Sequence, residues 1–116
     1  MKDLETLRLA LREFAAARQW ERFHSPKNLS IALMVEAAEV AEHFQWLTEE
    51  RSANPEEAKR AAVALELADV LIYLVRLADR LDIDLLDAAR RKLAINETRY
   101  PAEKVRGSAR KYDEYD

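Results

Sequence analysis

The chain has 116 residues, 49% of them hydrophobic and 35% charged, with a formal net charge of −3. That length supports one domain with a modest core, and the charge balance offers neither a basic field for nucleic acid nor a cationic face for a membrane. Cysteine is absent, which excludes disulfides, thiol catalysis and thiolate metal sites.

Met1 to Glu5 is charged and lacks an apolar run, so no signal peptide is expected. The first helix is predicted from Asp3 to Ala17, because Leu4, Leu7, Leu11 and Phe14 recur at the spacing of a bundle helix. A polar and aromatic connection follows, from Trp20 through Phe23, His24, Ser25 and Pro26 to Lys27. The second helix is predicted from Asn28 to Leu47, with Leu33, Ala37, Val40, Phe44 and Leu47 facing the core. Thr48 to Ala53 reads as a charged loop.

Asn54-Pro55-Glu56-Glu57 carries a capping side chain, a proline for the first helical position and acids for the first turn, so a third helix is expected from there to Leu81. Its most apolar part contains Glu66, Asp69 and Arg76, which argues against a membrane span. A protein of the cytoplasm is the expectation. Asp82-Ile83-Asp84 breaks the chain before a fourth helix over Leu85 to Arg99, ended by Tyr100-Pro101. No segment alternates with the period of a strand. The sequence therefore predicts an all-α, four-helix bundle-type subunit over residues 1–101 and a polar tail over 102–116, extended or partly disordered on its own.

Two acidic pairs stand out inside apolar stretches: Glu36-x-x-Glu39 in the second helix and Glu66-x-x-Asp69 in the third. At this spacing each pair shares one helix face. Neither stretch contains a Lys or Arg, and buried carboxylates without a partner cost several kcal/mol, on the order seen in real proteins. Two readings follow: acids lining a polar seam between helices, or a cation site. That the pattern occurs twice, flanked by apolar residues each time, favours the cation. Hard oxygen donors select Mg²⁺, with Mn²⁺ as a substitute, over zinc or copper. A di-iron centre needs Glu-x-x-His on two helices; the single instance, Glu21 and His24, lies in a connection, so that chemistry is not expected.

These residues resemble the MazG-like all-α nucleoside triphosphate pyrophosphohydrolases, and within them the dCTP pyrophosphatase branch. The resemblance rests on the acidic pairs, on Trp20 through Leu29, on Phe44-Gln45-Trp46, on Glu66 through Leu74, and on Lys92 through Asn96 to Pro101. It implies hydrolysis of a nucleoside triphosphate between its α- and β-phosphates. It further implies Glu36, Glu39, Glu66 and Asp69 as magnesium ligands, and Trp20, Trp46 and Tyr73, with His24 nearby, around the base and sugar. Lys92 and Asn96 would reach the phosphates, with Lys27 and Arg99 as weaker candidates. The resemblance also implies homodimers or homotetramers whose sites form where subunits meet. No Ser, Cys or His nucleophile is evident, so water is the expected attacking group, with Glu36 and Glu39 the expected catalytic acids and Glu39 the preferred base. Two positions depart from the family pattern: Val35 replaces a glutamate common in broader MazG-like chains, and Leu11 replaces a histidine of the dCTP branch. The competing functional readings are a non-catalytic helical interaction or regulatory dimer, and a pyrophosphohydrolase for dUTP or a modified nucleotide.

Overall fold

The computed structural model describes residues 1–107. Among them the regular structure is entirely helical: α1 (Leu4–Ala17), a 3₁₀ turn (Glu21–Phe23), α2 (Pro26–Glu42), α3 (Glu49–Ala53), α4 (Glu57–Arg80), α5 (Leu85–Arg99) and α6 (Ala102–Val105). The chain divides into two compact units, Met1–Asp82 and Ile83–Asp116. In the first, α2 and α1 both pack on α4, the longest helix. The second contains α5 and the short α6. None of the described helices is long and apolar enough to cross a membrane.

Capping chemistry sets the boundaries. Asp3 accepts from the Thr6 amide and starts α1 where the sequence predicts it. The second helix starts earlier than Asn28. Ser25, in an extended conformation before Pro26, accepts from the Asn28 amide at 3.1 Å, so proline takes the first helical position. It also ends earlier than Leu47. His43 and Phe44 shift their amides to the carbonyls three residues back, at 3.2 and 3.0 Å, and the chain leaves the helix so that an extended Thr48 can cap α3.

The stretch from Thr48 to Ala53, expected as a loop, is thus a short capped helix. Asn54 closes it, donating from Nδ2 to the Glu50 carbonyl at 3.3 Å. That engagement removes Asn54 as the cap of the next helix, and Glu56 becomes the N-cap of α4 without a side-chain bond. Asp84 caps α5 through the Asp87 amide. Within the expected tail, Ala102–Val105 forms a helical turn instead of extended chain, its first two bonds accepted by the Pro101 carbonyl. The rest of that tail from residue 108 lies outside the described residues.

Few side chains are fully enclosed: Ala15, Leu29, Val75 and Ala78 form the buried apolar core, all in the first unit. Burying Leu29 or Val75 contributes roughly 1.5–3 kcal/mol each, and the alanines permit close helix approach. Large apolar residues elsewhere on the packed helices remain in contact with solvent, among them Met34 on α2 at 63% exposure and Leu65 on α4 at 71%.

Candidate active site

The sense of packing between α2 and α4 follows from two sets of contacts. Glu36 and Glu39 lie against Glu66, whereas His24, just ahead of α2, meets Arg76. The helices therefore run antiparallel, and α4 passes the acids first and His24 later. Taking about 100° and 1.5 Å per residue, Glu66, Asp69, Tyr73 and Arg76 share an arc of roughly 80° along some 15 Å of helix.

Carboxylate oxygens of Glu36, Glu39 and Glu66 all lie within 4.8 Å of one another, an arrangement that could hold a cation. Asp69 falls outside that set, because its side chain leaves α4 one turn on, but its charge still acts on Glu36 and Glu66. Burial in the apolar seam, followed by hydrogen bonding and repulsion from Glu39, pushes the Glu36 carboxyl up to about 6. Glu66 is raised as well, first by hydrogen bonding with Glu39, then by burial and like charge, while His43 works the other way. Glu36 Oε2 and Glu66 Oε2 are buried and accept no hydrogen bond. Such orphaned oxygens are rare in native interiors and call for an explanation. A cation with hard-oxygen preference fits both them and the donor set.

The aromatic residues divide between the two ends of α2. Trp20 is half exposed and stands edge-on to Phe14, with ring centroids 5.7 Å apart, and to His24 at 6.3 Å. Tyr73 is partly buried, on the same arc of α4 as the acids. Trp46 follows the opposite end of α2, beyond a 17-residue helix of about 25 Å, and is 88% exposed. Within a single chain Trp46 and Trp20 do not line the same pocket. Lys92 is exposed and Asn96 partly buried, both on α5 of the second unit. Lys27 is exposed in the first turn of α2 and Arg99 ends α5.

The sequence reading missed one group of charges. Arg76, 4% exposed, donates from Nε to His24 Nδ1 at 3.1 Å and from Nη1 to Asp79 at 3.2 Å. Asp79, itself buried, also accepts from Arg8 at 2.8 Å and from Arg12 at 2.6 and 3.1 Å. Arg8 is held in turn by Glu5. Burial opposes ionisation of Asp79, but the hydrogen bonds from Arg12 and Arg8 prevail and lower its pKa. The available signal was Arg76-x-x-Asp79 inside an apolar helix, the same kind of pattern that drew attention to the acids.

The model of the MazG-like family matches residues 31–115, nearly three quarters of the chain. This chain belongs to the MazG-like family. It is 50% identical over 115 residues to dCTP pyrophosphatase 1 of Homo sapiens and 49% identical over 113 residues to that of Bos taurus. Those alignments take in 96% and 94% of this chain but 66% of each relative, so the chain spans about two thirds of the length of the curated relatives it matches. A crystal structure of a pyrophosphatase from Archaeoglobus fulgidus superimposes with a TM-score of 0.80 at 41% identity. That similarity covers 84% of this MazG-like chain and 91% of the archaeal one.

Proposed function

We propose that this chain is a nucleoside triphosphate pyrophosphohydrolase, cleaving between the α- and β-phosphates to release a nucleoside monophosphate and pyrophosphate. Pyrimidine deoxynucleotides of the dCTP type are the first candidate substrates, in keeping with the names of the curated relatives. The observation that carries the reading is the cluster of Glu36, Glu39 and Glu66, in which Glu36 and Glu66 each have an orphaned buried oxygen, in a chain of this family.

Glu36, Glu39 and Glu66, with Asp69 alongside, would hold Mg²⁺, for which Mn²⁺ is a substitute. The bound metal would supply charge neutralisation at the phosphates and increased acidity of water. Glu39 lies between the two other glutamates and accepts the proton of the attacking water. Tyr73, Trp20 and His24 lie along the seam away from the acids and contact the sugar and base. For Lys92 and Asn96, on α5 of the second unit, contact with phosphate oxygens is what the family resemblance implies.

Exposed Met34 and Leu65, on the two helices that carry the acids, support a homodimer or homotetramer. Trp46 of a second copy then completes a pocket that the chain's own Trp46 does not reach. Leu11, half-buried on α1, cannot make the polar contact of the histidine that the dCTP branch carries there, so dUTP and modified nucleotides belong in the test.

The experiment is pyrophosphate release from a panel of triphosphates, with Mg²⁺ and with chelator. The expected result is metal-dependent release that is greatest with one pyrimidine deoxynucleotide. Absence of release from every triphosphate would leave the helical interaction dimer as the better reading.

A further inference from the structure

The contact between Arg76 and His24 has a chemical consequence for the second site residue of the 3₁₀ connection. A guanidinium donates and never accepts, so His24 Nδ1, 3.1 Å from Arg76 Nε, must offer its lone pair, and the ring proton must sit on Nε2. We propose that Arg76 is a positioning residue that fixes His24 as the neutral, Nε2-protonated tautomer and thereby presents one uncharged N–H donor to the nucleotide. This rests on the reading of His24 as a nucleotide contact.

The arrangement is braced from behind. Arg76 cannot swing away without breaking its bond to Asp79, and Asp79 is pinned by Arg8 and Arg12 of α1. The charges that face His24 are the guanidinium groups of Arg76 and Arg80, both on α4; with burial, they lower its pKa. Glu21, on the same turn as His24, acts on Arg76. From its own side, His24 meets the edge-on ring of Trp20.

Neutrality has a purpose here. The seven helical steps from Asp69 to Arg76 span about 10 Å, the scale of a nucleoside between its α-phosphate and its base. A neutral N–H at the His24 end selects an acceptor such as a base carbonyl or a sugar hydroxyl.

Long-range ¹H–¹⁵N NMR on the wild-type protein reads the tautomer directly. The chain has two histidines, and the signals lost in H24Q identify the relevant one. The expected result is a bare Nδ1 and a protonated Nε2 at about pH 8, still the main form at the ordinary histidine midpoint of about pH 6.5. An Nδ1-protonated ring or an even mixture would overturn the proposal. In R76M, Asp79 keeps Arg8 and Arg12, and we expect KM to rise about tenfold, the factor carried by one ordinary hydrogen bond, with kcat changed by less than about twofold. The acid limb of kcat/KM should move up toward about pH 6.5, the ordinary histidine range. The H24Q/R76M double variant should be no worse than H24Q alone. Additive losses, or an unmoved pH profile, would overturn the positioning role while leaving the proposed hydrolysis intact. A protein that neither hydrolyses nor binds any triphosphate would overturn both.

Discussion

Helix α4 carries two sets of buried charge ten residues apart, and they are solved in opposite ways. At Glu66 three carboxylates lie together and two oxygens accept nothing; burial foremost at Glu36 and hydrogen bonding with Glu39 foremost at Glu66, with like charge added, raise both pKa values. At Arg76 and Asp79 every carboxylate oxygen is met by a guanidinium, and the aspartate pKa is lowered. One site is internally complete and the other gathers acids that could hold a cation. That Asp79 is satisfied so fully while Glu36 and Glu66 are not is what supports the proposed cation site.

The sharpest way to break this contrast is to remove one acid from each site. E36Q or E66Q should reduce pyrophosphate release by roughly 10²–10³-fold, the scale of losing one preorganised charge from a reaction site, without lowering the metal-free melting temperature. D79N should do the reverse, leaving three guanidinium groups against a neutral amide. It should cost about 3 kcal/mol in chemical denaturation, at the lower end for a broken buried pair because Arg12 is half exposed. A large stability loss in E36Q, or none in D79N, would show that the two sites are not opposites.

Next in size is the response to metal and pH. Glu36 sits at about 6 in the folded protein against an ordinary 4.5, so the folded state binds protons more tightly than the unfolded state. The resulting destabilisation is absent below the unfolded value and grows as pH rises from about 4.5 to about 6, after which it is constant. Without metal, thermal melts should therefore fall through that window. Mg²⁺ at a hundredfold excess over its Kd should restore about 2.7 kcal/mol, most visibly above pH 6. Asp79 predicts the opposite slope, since its lowered pKa stabilises the fold above about 3.8 and that contribution is lost only on further acidification. E36Q should flatten part of the downward slope, Glu66 supplying the rest, and should weaken the Mg²⁺ effect. Melts indifferent to Mg²⁺ at every pH would remove the basis for the cation site.

The same contrast explains what could be read from the sequence. Acids amid alanine, valine and leucine are conspicuous because nothing nearby in the chain neutralises them, so Glu36, Glu39, Glu66 and Asp69 were legible. That three of them form the tight set, with Asp69 beside it, depends on how α2 faces α4. Arg76 and Asp79 were not legible as a group because their partners Arg8, Arg12 and His24 come from about 50 to 70 residues away. Helix existence was legible from periodicity, as were the starts of α1 at Asp3 and of α5 after the break at residues 82–84, whereas the cap expected at Asn54 was not the one used. The end of α2 was not, because Phe44 and Leu47 continue the apolar rhythm after Thr48 has already claimed the backbone for α3. Trp46 is the instructive case among the aromatics: motif position places it with Trp20, whereas the length of α2 separates them.

The smallest effect concerns the helix ends beside the two groups at Trp20 and Asp79. Gln19 and Asp82 are non-glycine residues in the left-handed region, with φ of 53° and 54°. Each follows a helix C-cap, and their amides close onto the Ala16 and Asp79 carbonyls at 3.1 and 3.2 Å. Glycine relieves the steric cost at such a position but adds freedom to the unfolded chain, so the gain is the difference between the two terms. Q19G should stabilise by about 0.5–1 kcal/mol. D82G should gain less, because aspartate tolerates this conformation better than glutamine does. Since Asp82 closes its turn on the backbone of Asp79 and touches no acid of the cluster, D82G should leave pyrophosphate release unchanged. A fall in activity on so small a change would mean that the Asp79 end of α4 and the carboxylates respond to each other, and the separation between complete and incomplete charge would no longer hold along this helix.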